Sequence, residues 1–438
     1  MKSWLKSLGV ETIFCGAGNR NSSLLTEFAD FKLIFGLDER SLAFEALGHA
    51  KLSKKPVVIC TTSGTAVAEC FPALIEAYYS DVPLIIISAD RPSALKNTRA
   101  PQTINQSNIF GEYARSFFEV NFKKFIKPEQ QVSFPLHLNI LVDQEGLDEN
   151  IVQRPGTEVL SQAGVAIFTE GSEDFIEEYK YLNNLNYPCY VEIHSGLKET
   201  GNIKYEKELL YFIENNSINY VIKFGKTPVT KFWRLLNSKY LDLGVFSYQS
   251  ENHGCYGGIK LDSLKNITSY SQYEFVSSDF LALKDKFPMS EASMIFDYCQ
   301  ALTDEDLLYL GNSMPIRYGD FCRPVKCNIL ASRGANGIDG QISTAAGIAR
   351  ASKKTVHALI GDLTFLYDKT RLDWELPPNL KIIVINNFGG GIFKRVDSDK
   401  RMVLEHKLEI KTSDQITVLN PNEEQTSLFW KEWNHDSK

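Results

Sequence analysis

Two polar residues, Asp362 and Asn387, have the types and the spacing to hold a metal ion. Each closes a short apolar run: 356–360 stops at Gly361-Asp362, and 382–385 stops at Asn386-Asn387. They stand about 25 residues apart, and Gly389, Gly390 and Gly391 follow the second. Ligands of open parallel sheets bind just beyond the carboxyl ends of strands. An oxygen-only pair there, beside glycines that bare backbone carbonyls, suits a hard cation that itself carries phosphate. Asp362, the Asn387 amide oxygen and the Gly389 carbonyl are the candidate ligands for magnesium or manganese. An Asp at a strand–helix turn is also a common helix cap. The pairing of GD with NN-x-GGG favours the metal.

Such residues need parallel strands to carry them, and the chain supplies the pattern. Residues 1 to about 120 alternate short apolar runs with helical stretches: 13–15, 33–35, 57–60 and 84–87 each give way to glycine or polar residues. Continuous apolar runs mark strands buried on both faces, hence a doubly wound α/β domain. A further strand is expected at 136–142 and a linker at 155–158, PGTE. A second α/β unit follows, with strands at 165–168, 189–193, 220–224 and 243–248, and a third begins near Met289. The division is 1–155, 156–285 and 286–438. FGKTPVTK, from Phe224, reads as an anion-binding turn opening a helix or as a capped surface helix. Gly16-Ala17-Gly18 invites a dinucleotide site, but the third glycine of that fingerprint is replaced by Asn21, and a lone GxG is weak.

Composition excludes several classes. The net charge of −7, with no basic tract, argues against nucleic acid. No stretch approaches the roughly 20 apolar residues of a membrane span. The first residues, MKSWLKSLGVETIF, are too interrupted for a signal peptide. Eight scattered cysteines read as reduced, buried thiols, so a cytoplasmic protein is expected.

The GD…NN spacing resembles the diphosphate motif of thiamine-diphosphate enzymes. Further motifs narrow the resemblance: DER from Asp38, TSGTAVAECFPALIEAYYS from Thr62, SADRP from Ser88, SGLK from Ser195, FGKTPVTK, SRGANGIDGQISTAAGIA from Ser332, GDLTFLYD and NNFGGGIF. In this order, over nearly the whole chain, they resemble the 2-succinyl-5-enolpyruvyl-6-hydroxy-3-cyclohexene-1-carboxylate (SEPHCHC) synthases of menaquinone biosynthesis. The resemblance implies three α/β domains of the thiamine-diphosphate-enzyme type: pyrimidine-binding, central and diphosphate-binding. It also implies a homodimer, or a dimer of dimers, with the cofactor between subunits. Glu39 matches the glutamate that hydrogen-bonds N1′ of the aminopyrimidine. A carboxylate in an apolar cleft has a raised proton affinity, which suits that contact; on the residues alone, a helix N-terminal acid beside Asp38 is the commoner role for DER, and the resemblance favours the catalytic one.

The implied reaction decarboxylates 2-oxoglutarate and adds the product carbanion to isochorismate. Both substrates are dicarboxylates, which calls for arginine forks. Arg317 and Arg333 match catalytic positions; Arg20, Arg91, Gln102, Ser313 and, more weakly, Lys231 match substrate-binding ones. Gly361, Asp362, Leu363, Asn387, Gly389, Ile392 and Phe393 match the cofactor site. Departures are Asn19 for the usual Ser, Pro101 for an Asn, and Phe388 inside NN-x-GG. The chain is also shorter than typical members near 121–135, centrally and between Phe393 and Ile416. The competing readings are an acetolactate-synthase-like carboligase and a non-catalytic protein that keeps the fold.

Overall fold

The structure, a computed structural model, describes residues 1–142, 163–250, 256–267, 275, 277–373, 375–394 and 399–435. The linker expected at 155–158 lies outside the described residues, as does the boundary at 155/156. Among the described residues the strands form three sheets, and every pairing within them is parallel. The first contains β1 (Thr12–Gly16), β2 (Lys32–Gly36), β3 (Val57–Thr61), β4 (Leu84–Asp90), β5 (Ser116–Asn121) and β6 (Leu136–Leu141), in the order β2-β1-β3-β4-β6-β5. The second contains β7 (Gly164–Phe168), β8 (Cys189–Val191), β9 (Tyr220–Phe224), β10 (Gly244–Tyr248) and β11 (Ile259–Leu261), ordered β11-β10-β9-β7-β8. The third contains β12 (Asp306–Leu310), β13 (Asn328–Ala331), β14 (Thr355–Gly361), β15 (Leu380–Ile385) and β16 (Ile416–Leu419), ordered β13-β12-β14-β15-β16.

The first sheet shows why its strands are unbroken apolar runs. Ile13, Cys15, Val58, Cys60, Ile85 and Ile87 pack on one face with Trp4, Leu24 and Phe28. Phe14, Val57, Ile59, Leu84 and Ile86 pack on the other with Leu42, Ala46 and Leu74. Helices cover both faces, so no position can be polar without a partner. Each fully buried Ile or Val contributes about 1.5–3 kcal/mol.

Two compact units emerge. The first combines Met1–Asn150 with Gly334–Asp339 and Phe388–Lys407; the second combines Ile151–Arg333 with Gly340–Asn387 and Leu408–Lys438 and carries the second and third sheets. Inside the first unit, Thr65 Oγ1 donates to Asp339 Oδ1 at 2.7 Å. Met402 is fully buried in the core beside Leu24 and Cys15, with Phe393 packed against it.

The strands expected from the sequence are all present among the described residues, with three kinds of correction: β8, expected over 189–193, ends at Val191, past which Glu192 turns to bind the Val229 amide. β4 does not stop at Ile87 but runs on through Ser88 to Asp90, because β6 supplies polar partners. β5, β11 and β13 were not anticipated; they are edge strands whose half-exposed residues blur the apolar run. No helix among the described residues is long and apolar enough to cross a membrane. The seven described cysteines are unbridged and buried, as expected.

Candidate active site

In the first unit the site residues gather at the carboxyl ends of β1 to β4. Helix Glu39–Ser53 follows β2, and its N-cap is Asp38, whose Oδ1 accepts from Arg40 N at 2.9 Å and Ser41 N at 3.1 Å. With capping done by Asp38, Glu39 is not needed for it, and its side chain is buried (6% exposed). It lies against Gly16, the last residue of β1. A Cβ on Gly16 would stand 2.9 Å from Glu39 Cγ and 3.0 Å from Oε1. The glycine is therefore what leaves room for the carboxylate. Gly18 has an equally local reason, since its Cβ would lie 2.2 Å from Thr62 Cβ. GAG thus serves the close approach of two strand-end turns.

Arg20, buried in the short helix Asn19–Ser22, donates from Nη1 to Val142 O at 3.0 Å. Arg91 is 2% exposed just past β4; its Nε and Nη2 donate to Pro101 O at 3.2 and 2.9 Å. Pro101 has no N–H to offer, yet its carbonyl fixes the guanidinium. Gln102 is exposed, at φ +53°, with its backbone beside Gly64.

Behind these residues runs a buried polar chain that the sequence reading missed. Gly64 N donates to Gln106 Oε1 (2.9 Å), Gln106 Nε2 to Asn139 Oδ1 (3.0 Å), and Asn139 Nδ2 to Asp90 Oδ2 (2.9 Å). Ser88 Oγ bonds both His137 Nε2 and Asn139 Oδ1. Burial holds His137 down to about 3, so it is neutral here. His137 and Asn139 at alternate positions of LHLNIL were the available signal: two polar groups on one face of a buried strand must meet partners.

Gly389, Ile392 and Phe393 also belong to this unit. Gly389 pairs with Glu405, and a Cβ on it would stand 2.4 Å from Leu404 O. Its carbonyl accepts Gly391 N at 2.8 Å.

In the second unit β14 and β15 run in parallel register, Gly361 opposite Ile385. Asp362 and the Asn386-Asn387 pair therefore emerge side by side at one rim. Asp362 is 3% exposed, opens helix Asp362–Tyr367, and accepts Leu363 N at 2.7 Å. Asn387 Nδ2 donates to Glu291 Oε1 at 2.9 Å, which turns its amide oxygen the other way. That oxygen is buried without a hydrogen-bond partner among the described residues. A buried acceptor left open beside a carboxylate is a donor set that fits a hard cation. Glu291, which fixes the amide, gave no sequence signal: following Ser290, it reads as an ordinary helix-start acid.

The cations form a separate group in this unit. Ser313, at φ +72°, starts helix Met314–Tyr318, and its carbonyl accepts from Arg317 Nη1. Arg317 is exposed, and Arg333 and Arg234 lie close enough to repel its charge. Arg333 donates from Nη1 to Asn312 Oδ1 at 2.7 Å, and the carboxylates of Glu192 and Glu170 face it. The turn after β9 does not open a helix directly; helix Phe232–Leu236 begins only after Lys231. The group that its amides bind is this chain's own Glu192, which accepts Val229 N at 2.7 Å. Lys231 is exposed beyond it.

Known proteins resemble this chain over most of its length. The N-terminal TPP binding domain of thiamine pyrophosphate enzymes matches residues 1–109. The SEPHCHC synthase of Bdellovibrio bacteriovorus is 31% identical over 510 aligned positions, covering 97% of this chain and 96% of that one. The alignment is longer than the 438 residues of this chain, so the relative has insertions that this chain lacks. The synthases of Akkermansia muciniphila (30% identical; 88% of this chain, 81% of that one) and Leuconostoc mesenteroides (31%; 88% and 82%) are also similar. On that identity across nearly the full length of both chains, this chain belongs to the SEPHCHC synthase family.

Proposed function

We propose that this protein catalyses thiamine-diphosphate- and magnesium-dependent decarboxylation of 2-oxoglutarate and conjugate addition of the resulting four-carbon unit to isochorismate, giving SEPHCHC in menaquinone biosynthesis. It works as a homodimer of subunits with three domains, one per sheet. Glu39 carries the reading: it is buried behind a glycine that makes room for it, at a helix start already capped by another acid. A carboxylate so placed can share a proton with a ring nitrogen.

Thiamine diphosphate, when bound, supplies the nucleophilic carbon for a 2-oxo acid and stores the electron pair after carbon dioxide leaves. The chain's own residues do the rest. Glu39 would hydrogen-bond N1′ of the aminopyrimidine and hold or return a proton there. Asp362 and Asn387, with the Gly389 carbonyl as third ligand, would hold magnesium or manganese on the diphosphate. Gly361, Leu363, Ile392 and Phe393 line the same cofactor by resemblance. Arg20, Arg91 and Gln102 in the first unit, and Lys231, Ser313, Arg317 and Arg333 in the second, take the substrate carboxylates. Arg20 and Arg91 suit this because backbone carbonyls already fix their guanidinium planes, so little side-chain entropy remains to be lost on binding.

The test is carbon dioxide release from 2-oxoglutarate with both cofactors, with and without isochorismate, on wild type and Glu39→Gln. Isochorismate-dependent product that disappears in the variant supports the reading. Faster release from pyruvate than from 2-oxoglutarate would point to an acetolactate-synthase-like carboligase. Tight cofactor binding without turnover would leave a fold that has lost its chemistry.

A further inference from the structure

The turn that bears Lys231 is held from below by buried acid. Glu192, one residue past β8 and 2% exposed, accepts Val229 N at 2.7 Å and, more weakly, Thr230 N at 3.4 Å. Glu206, the first residue of helix Glu206–Asn215, accepts Phe232 N at 2.9 Å. Two carboxylates from different elements thus fix the backbone on both sides of Lys231. Once ionised, Glu192 is also near enough to Arg333 for their charges to attract. Asn312 Oδ1, taking Arg333 Nη1 at 2.7 Å, orients the same guanidinium. One buried carboxylate therefore faces both the Lys231 turn and Arg333.

We propose that Glu192 is a positioning residue for substrate binding: it holds the 229–230 backbone, so that Lys231 meets a dicarboxylate from a fixed turn, with the Arg333 guanidinium that Asn312 orients as the second cation. This rests on the reading of Lys231 and Arg333 as substrate cations. The Lys231 carbonyl accepts Arg234 N at 2.9 Å, but the 229 and 230 amides rest on Glu192, and a backbone carried by a side-chain carboxylate moves when the acceptor is removed.

Glu192 is also placed to titrate. Burial pushes it up to about 8, opposed by the Val229 and Thr230 amides and by Arg333 and reinforced by Asp320. The other titratable groups set against it among the described residues are His194, whose Nε2 is 3.8 Å from Glu192 Oε2, Arg323, whose guanidinium donates to the Val191 and Glu192 carbonyls, and Tyr190, whose phenol feels its charge. Burial, with Arg333, Arg323 and Lys226, holds His194 down to about 3, so it stays neutral while Glu192 ionises.

The experiment compares Glu192→Leu, Glu192→Gln, Lys231→Met and Arg333→Met as full-length proteins loaded with thiamine diphosphate and magnesium. It reads kcat and KM for 2-oxoglutarate from pH 6.5 to 9, and amide hydrogen exchange over 229–232. Glu192→Leu is expected to raise KM about tenfold with kcat nearly unchanged, and to speed exchange at Val229 and Thr230. Glu192→Gln, which keeps an acceptor, restores slow exchange and a near-normal KM at pH 7 but loses the wild-type ionisation of KM near pH 8. If Glu192→Leu does not fold, the pH profile and exchange of Glu192→Gln decide. Unchanged KM and exchange in the Glu192 variants, while Lys231→Met and Arg333→Met raise KM, would overturn the proposal alone. Unchanged KM in those two as well would remove the reading of the cations on which it stands.

Discussion

Gly16→Ala is the most direct probe of how the first sheet places Glu39. The added methyl would stand 2.9 Å from Glu39 Cγ, 3.0 Å from Oε1 and 3.3 Å from Cδ, with nothing nearer. Carbon atoms rest at about 3.5–4.0 Å, so the side chain must retreat by roughly 0.5–1 Å. The backbone accepts alanine, because Gly16 is an extended strand residue outside the positive-φ region. What yields is the far end of a flexible side chain, so the stability cost should be small, about 1 kcal/mol. A carboxylate misplaced by that distance can cost up to about 100-fold in rate. The expected result is turnover 10–100-fold down, a melting temperature within a few degrees of wild type, and thiamine-diphosphate affinity by calorimetry nearly unchanged. Gly36 pairs with Gly16 in register, but its Cβ would meet Leu42 Cδ1 at 2.7 Å in the core. Gly36→Ala should therefore lower stability more and turnover less. Full activity in Gly16→Ala, or equal loss of turnover in both variants, would refute the reasoning.

Stability should fall between pH 6.5 and 8. Glu192 is raised from 4.5 to about 8, so the native state binds the extra proton; its contribution is complete below 4.5 and is lost as pH rises through 8. His137 and His194, lowered from 6.5 to about 3, act oppositely: their contribution is complete above 6.5 and is lost as pH falls through 3. Glu206, raised by burial to about 7, adds to the decline up to that pH; above 7 the Glu192 slope is left, at most about 1.4 kcal/mol per pH unit, and thermal melts there should show the decline in wild type and a flatter profile in Glu192→Gln. A decline of equal slope in the variant would count against it. Asp362→Asn should weaken magnesium-dependent thiamine-diphosphate binding by more than about tenfold while leaving the melting temperature of the cofactor-free protein nearly unchanged, and equal affinities with and without magnesium in wild type would sink the metal reading. Gly389→Ala, whose methyl would overlap Leu404 O at 2.4 Å, should cost about 1–3 kcal/mol in denaturant unfolding.

The fold was legible because both faces of each central strand are covered, which turns strands into plain apolar runs such as VVIC and IIVI. β4 was read short because Ser88 and Asp90 look like a strand end; only the long-range pairing with β6 shows that Asn139 and His137 satisfy them. The edge strands β5, β11 and β13 carry no such run. Asp362 and Asn387 were readable because strand-end position is encoded locally. Glu192, Gln106 and Glu291 were not, since each acts through partners 37 to 96 residues away, beyond any local pattern.

The first unit is assembled from three stretches of chain, the last being Phe388–Lys407. Its core keeps a place for Met402, which sits fully buried against side chains from the opening 30 residues. On the ribosome, strands β1 to β6 therefore emerge with one face unfinished. At about 5–20 residues per second, synthesis reaches Met402 on the order of 10–50 s after β6. For that interval Leu24, Cys15 and their neighbours lack a cover that the finished protein supplies from its far end. The nascent first unit is thus incomplete until translation has passed Met402.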